Sequence, residues 1–192
     1  MPALCSLPIP SAGGSRWAGR AARKALRNRN SVRWVGNGHI TPHLFWPFDV
    51  YVEYESIGGQ KGFLGIEVKY HENLNDALAP HRERYDQVAL GMGCFHPSRL
   101  ADLRMKPINQ LWRDHMLAGS IISADGWKEG MFVVLYPAEN THAAAAIRKY
   151  QACLADASTF GSWTLESFVS ALKAEDTGDW VNDLECRYLL AG

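Results

Sequence analysis

The sequence predicts one mixed α/β domain, and three observations carry that prediction. Two segments of alternating polarity flank Gly58-Gly59, an unbroken apolar run fills Met131 to Tyr136, and several other stretches repeat apolar residues at helical spacing. With 192 residues the chain is long enough to bury a sizeable core, and no window holds the roughly 18 to 20 apolar residues of a membrane helix. A soluble protein is expected.

Residues 1–15 are rich in Pro, Gly and Ser and lack periodicity, whereas Trp17, Ala21, Ala22, Ala25 and Leu26 are spaced for a short, weakly amphipathic helix. Gly36, Asn37, Gly38 and Pro42 break the chain before Leu44-Phe45-Trp46. From Asp49 to Glu55, Val50, Val52 and Tyr54 alternate with Asp49, Tyr51, Glu53 and Glu55, which is the period of a strand. Gly58-Gly59 tolerates the positive φ of a tight turn, and a second strand follows from Gly62 to Tyr70. Leu78–Leu90 and Ile108–Ile122 have helical composition and spacing, with Pro107 suited to a first turn. Met131–Tyr136, bounded by Gly130 and Pro137, suits a central strand buried on both faces. Ala143–Leu154 predicts a helix, Thr164 to Leu172 another with Ser162 or Thr164 as its cap, and Trp180–Leu190 a last one. No internal repeat is present.

The formal net charge is zero, yet it is unevenly spread. Seven cations (Arg16, Arg20, Arg23, Lys24, Arg27, Arg29, Arg33) and no acid precede Asp49, so the remainder carries minus seven. Residues 1–42 therefore form a basic arm, disordered or truncated, ahead of a domain at 43–192. The arm admits three readings: a phosphate-tracking segment, an extension without a specific role, or a transit peptide. The first residues do not resemble a secretory signal, and Cys5, Cys94, Cys153 and Cys186 are too dispersed for a zinc knuckle or a compact disulfide framework. Reduced thiols in a cytoplasm are expected.

The hairpin carries the chemistry. Opposed residues in an antiparallel pair share an index sum; a turn centred on Gly58 gives 116 and sets Asp49 against Glu67, whereas one on Gly59 gives 118 and sets it against Lys69. Either register gathers two carboxylates and an ammonium on one face, at the end remote from the turn. Facing acids are unfavourable unless a cation lies between them, and a hard divalent ion with oxygen ligands fits. Phosphodiester hydrolysis needs such a set: carboxylates to hold magnesium, and an ammonium to orient water or offset developing charge. Val68 would face the core and could lend its backbone carbonyl to the ion. The plainer alternative is an Asp49–Lys69 ion pair on a solvated sheet face.

The wording around these residues goes further. Phe48-Asp49-Val50-Tyr51-Val52-Glu53-Tyr54 followed by Gly62-Phe63-Leu64-Gly65-Ile66-Glu67-Val68-Lys69-Tyr70-His71-Glu72 closely resembles a bacterial branch of the PD-(D/E)XK nuclease-like superfamily. Arg84-Tyr85, Gln110-Leu111-Trp112-Arg113-Asp114-His115, Phe132–Pro137 and Trp163-Thr164-Leu165 extend the likeness to near Leu172. The resemblance implies a restriction endonuclease-like core, a mixed β-sheet flanked by α-helices, and magnesium-dependent nucleic-acid cleavage, with manganese as a substitute. It implies Asp49 and Glu67 as metal ligands and Lys69 as the water-orienting cation. The upstream helix and strand of the family are not recognisable, and no acid before Asp49 can supply the carboxylate that such a helix often adds.

His71, Glu72, Gln110, Arg113 and His115 are further candidates around the centre, each with a local structural role as its alternative. Trp127, Trp163 and Trp180 fit core packing better than base stacking. Three functions follow: a metal-dependent nuclease acting on DNA in preference to RNA, an inactive nuclease-fold module that binds nucleic acid or a protein, and an interaction protein with a solvated charged hairpin. A homodimer remains open, and no membrane partner is indicated.

Overall fold

A computed structural model describes residues 32–35, 48–55, 59–78, 80–124, 127–175 and 178–189. The helix expected near Trp17–Leu26, the Gly58 turn and Cys5 lie outside the described residues.

Among the described residues five strands, β1 (Val32–Val35), β2 (Val50–Glu55), β3 (Lys61–Val68), β4 (Glu129–Tyr136) and β5 (Phe160–Thr164), form one sheet in that order. The hairpin β2–β3 and the pair β1–β2 are antiparallel, whereas β3–β4 and β4–β5 are parallel. The first long connection, from β3 to β4, carries α1 (Glu83–Met92), a 3-10 turn at Pro97–Arg99, α2 (Leu100–Leu103) and α3 (Asn109–Ala124). The second carries α4 (Thr141–Gln151), and α5 (Leu165–Ala174) and α6 (Trp180–Tyr188) follow β5.

Alternation along each strand feeds two cores. Tyr51, Phe63, Phe132 and Val134 pack with Leu111, Trp112, Ile147 and Tyr150 beneath α1 to α4. On the other face Val52, Leu64, Ile66, Val133 and Leu135 meet Leu165, Val169 and Leu172 of α5 and Val181 of α6. β4 is buried on both faces and lies inside the sheet, as its continuous apolar run predicts.

Several details differ from the sequence-based expectation. A strand does precede Asp49: β1 lies within the basic arm and pairs with β2, although Val32–Val35 is too short to show a period. Helix α1 begins at Glu83 rather than Leu78, because Pro80 disfavours helical backbone at the residue before it. Pro107 sits in the turn before α3, and α4 spans Thr141–Gln151 rather than 143–154. β5, the 3-10 turn and α2 were not foreseen, whereas Thr164 caps α5 by accepting a bond from the Ser167 amide at 3.2 Å. Cys94 and Cys153 are buried free thiols and Cys186 is exposed. No described helix is long and apolar enough to cross a membrane.

Candidate active site

The hairpin register decides the geometry. Val50 pairs with Ile66 and Tyr51 with Gly65, an index sum of 116; the ladder ends there, and Asp49, in the bend just before β2, lies within electrostatic reach of Glu67. Phe48 anchors this end of β2. Its ring lies over Gly65, where a Cβ would stand 2.6 Å from ring carbons, so β3 needs glycine at that point. The neighbouring Asp49 accepts a hydrogen bond through Oδ2 from the Val68 amide at 2.8 Å.

Glu67 and Lys69 project from the C-terminal end of β3 into the face covered by α3. They are only 8% and 6% exposed, so the hairpin is not a solvated charged surface. Lys69 Nζ donates to Glu67 Oε1 at 2.7 Å, and Gln110 Nε2 donates to the same oxygen at 3.2 Å. Val68 turns its side chain to the opposite core.

A third carboxylate approaches from α3. Asp114 lies one helical turn beyond Gln110, and its Oδ2 is buried with no hydrogen-bond partner among the described residues. Burial first, then the charges of Glu67 and Asp49, raise its carboxyl to about 7 against the opposing pull of Lys69 and Arg113. Burial likewise raises Glu67, assisted by Asp49 and Glu72 and opposed by Lys69. For Lys69 burial works downward, but Glu67, Glu72 and Asp114 outweigh it and hold the ammonium above the ordinary lysine value. These directions share one cause: several carboxylates surround a single buried cation.

The segment after Lys69 is held by Asn140. Its amide donates to the carbonyls of Lys69, Tyr70 and Glu72 at 3.1, 3.3 and 3.2 Å, while its Oδ1 caps α4 by accepting from the Ala143 amide. Further along, Leu74 is buried at φ 55°, a left-handed conformation that costs a non-glycine residue free energy and persists where the surroundings enforce it.

The other candidates separate clearly. Gln110 touches Glu67, Glu72 lies within electrostatic reach of Glu67 and Lys69, and Arg113 borders the adjoining cleft beside Asp114. His71 is exposed, its ring edge-on to Tyr70. His115 is not at the site: it is buried, hydrogen-bonded with Tyr150 and Thr159 at 2.7 and 2.8 Å, and burial pushes its imidazole down to about 3. One position along a helix rotates a side chain by about 100°, which separates core-facing His115 from Asp114. Sequence reading quoted Asp114 but did not single it out; the signal was its place four residues after Gln110 on one helix face.

Among the described residues no three His, Cys, Asp or Glu side chains converge tightly enough to cage a metal ion. The donor chemistry nevertheless fits magnesium, which takes one or two carboxylates and fills its octahedron with water and substrate phosphate. The unpartnered, buried Asp114 Oδ2 is the second indication, since an oxygen left without a donor inside a protein costs free energy until a cation or proton meets it.

A mixed sheet flanked by helices, with Asp49 just before β2 and Glu67-x-Lys69 at the end of the adjacent β3, has the make-up of a nuclease-like core. A family model described as the PD-(D/E)XK nuclease superfamily matches residues 47–190, about three quarters of the chain, and the chain belongs to that superfamily. No curated protein and no solved structure was found to match it.

Proposed function

We propose that the protein is a magnesium-dependent nuclease that hydrolyses phosphodiester bonds of DNA, with Asp49, Glu67 and Lys69 as its reaction centre. The supporting observation is the buried Lys69–Glu67 pair, with Asp49 and Asp114 within electrostatic reach of Glu67. Asp49 and Glu67 would hold the ion, the Val68 carbonyl is a further candidate ligand, and Asp114 adds negative charge from the helix side. Bound magnesium, or manganese in its place, supplies charge neutralisation at the scissile phosphate and lowers the pKa of a water. Lys69 orients the attacking water and offsets charge on the phosphoryl oxygens, because its ammonium stays protonated in the acidic surroundings. Gln110 fixes the Glu67 carboxylate and leaves Oε2 for the ion. Asn140 keeps the backbone after Lys69 in place.

A second reading is an inactive module that keeps the fold and binds nucleic acid or a protein. It is favoured by the absence of a tight three-ligand cage among the described residues. Incubation of labelled DNA with magnesium or manganese separates the two. The nuclease reading expects metal-dependent cleavage that EDTA abolishes and Lys69→Ala removes; binding without cleavage by the wild-type chain supports the inactive module instead.

A further inference from the structure

A run of three adjoining hollows leaves the reaction centre along α3. The first, about 320 Å³, is bordered by Leu74, Asp76, Lys106, Gln110, Arg113 and Asp114. It shares Arg113 and Asp114 with a second of about 420 Å³, whose other walls include Arg82, Arg84, Tyr85, Val88 and Leu117. Arg84, Val88 and Ser120 then join it to a third of about 360 Å³ that ends near Met92, Gly119 and Ser123. The second and third hollows lie between α1 and α3, and the first continues them along α3 beside residues 74–78. At the far end of this groove Met92 packs against Gly119, where a Cβ would be 2.4 Å from the sulfur.

The chemistry of the groove is uneven in a telling way. Arg82, Arg84 and Arg113 are exposed at its rim, and none makes an ion pair among the described residues. The nearby Asp86 is already taken by Arg104 and His81. Between the arginines, Tyr85, Val88, Met116 and Leu117 give an apolar floor with one aromatic ring. We propose that this groove is the track of a single nucleic-acid strand leading to the reaction centre, with phosphates on the arginine rim and bases on the floor. The proposal rests on the nuclease reading for the identity of its ligand. A duplex turns its phosphates outward and hides its base faces, so it could use the rim but not the floor; an unpaired strand can use both. From Asn109 to Ser123 the helix rises roughly 20 Å, room for a short run of nucleotides near the lower end of the roughly 4 to 16 that one single-strand module covers.

Fluorescence anisotropy in EDTA, with labelled oligothymidylate and a blunt duplex of equal length, tests the groove without cleavage. The wild-type chain should bind the single strand at least about tenfold more tightly than the duplex. The double variant Arg82→Glu, Arg84→Glu changes only exposed side chains and should keep the wild-type melting curve. It should lose at least about tenfold in oligothymidylate affinity, and its log–log salt slope should become shallower by about 1.4, the value for two lost phosphate contacts on a single strand. Equal or tighter duplex binding, an unchanged double variant, or inorganic polyphosphate competing as well as the oligonucleotide would each overturn the proposal. The two levels separate: magnesium-dependent cleavage with unaffected groove variants overturns the groove alone, whereas groove-dependent strand binding by a chain that cleaves nothing supports the groove and overturns the nuclease reading.

Discussion

At Glu67 and Lys69 a surplus of negative charge governs how each residue behaves. The ammonium is held protonated, so its replacement removes a buried cation within reach of Glu67 and Asp114. Lys69→Ala should lower the cleavage rate by about 10²-fold or more, the usual scale for losing a charge-stabilising donor, in a steady-state assay on labelled DNA. Asp114 sets a pH dependence whose sign follows from its raised carboxyl. Between about 3.8 and about 7 the folded chain holds a proton that the unfolded chain has released, so this group's contribution to stability falls as pH rises through that window. Asp114→Asn should therefore melt above the wild-type chain at pH 8 without metal, by roughly 2–4 °C for each 1 kcal/mol relieved. Magnesium favours the ionised carboxylate and should raise the wild-type melting temperature more than that of the variant. Differential scanning calorimetry across pH, with and without the ion, checks both.

Among the elements, the hairpin that carries Asp49, Glu67 and Lys69 depends on two uncharged supports, Gly65 and Asn140. Gly65→Ala places a methyl group inside the Phe48 ring contact. It should cost roughly 1–3 kcal/mol, as overpacking does, and reduce activity by shifting the neighbouring Asp49. Asn140→Ala removes a helix cap worth about 1 kcal/mol, together with three ties to the backbone after Lys69. Urea denaturation beside a rate measurement distinguishes lost stability from lost alignment in both variants. The hairpin was legible in the sequence because alternation fixes faces, but two registers stayed open, and only the pairing of Val50 with Ile66 selects the index sum of 116. Other elements lacked such a signal. Phe160-Gly161-Ser162-Trp163-Thr164 has neither alternation nor a sustained apolar run, so only pairing with β4 makes it a strand. The sequence favours His115 over Asp114 as a candidate, and the docking of α3 on the sheet, a tertiary fact, reverses them, sending Asp114 to the charged face and His115 into the core.

Across the whole molecule, both long connections cover the same sheet face, and the proposed reaction centre lies where the β3 end emerges beneath α3. This is the general location of ligand sites in sheets with parallel strands, outside their carboxyl ends. The opposite face, covered by α5 and α6, has a mainly apolar core and serves as the support. The fold was therefore readable as a class, and its wording named a family, whereas the groove along α3 belongs to the assembled chain alone. The most direct measurement is the cleavage rate of end-labelled DNA as magnesium is titrated, for the wild-type chain and Lys69→Ala side by side. The account predicts saturable, EDTA-sensitive cleavage by the first and almost none by the second. Cleavage that persists in EDTA, equal rates for both chains, or no cleavage by the wild-type chain with magnesium or manganese would contradict it.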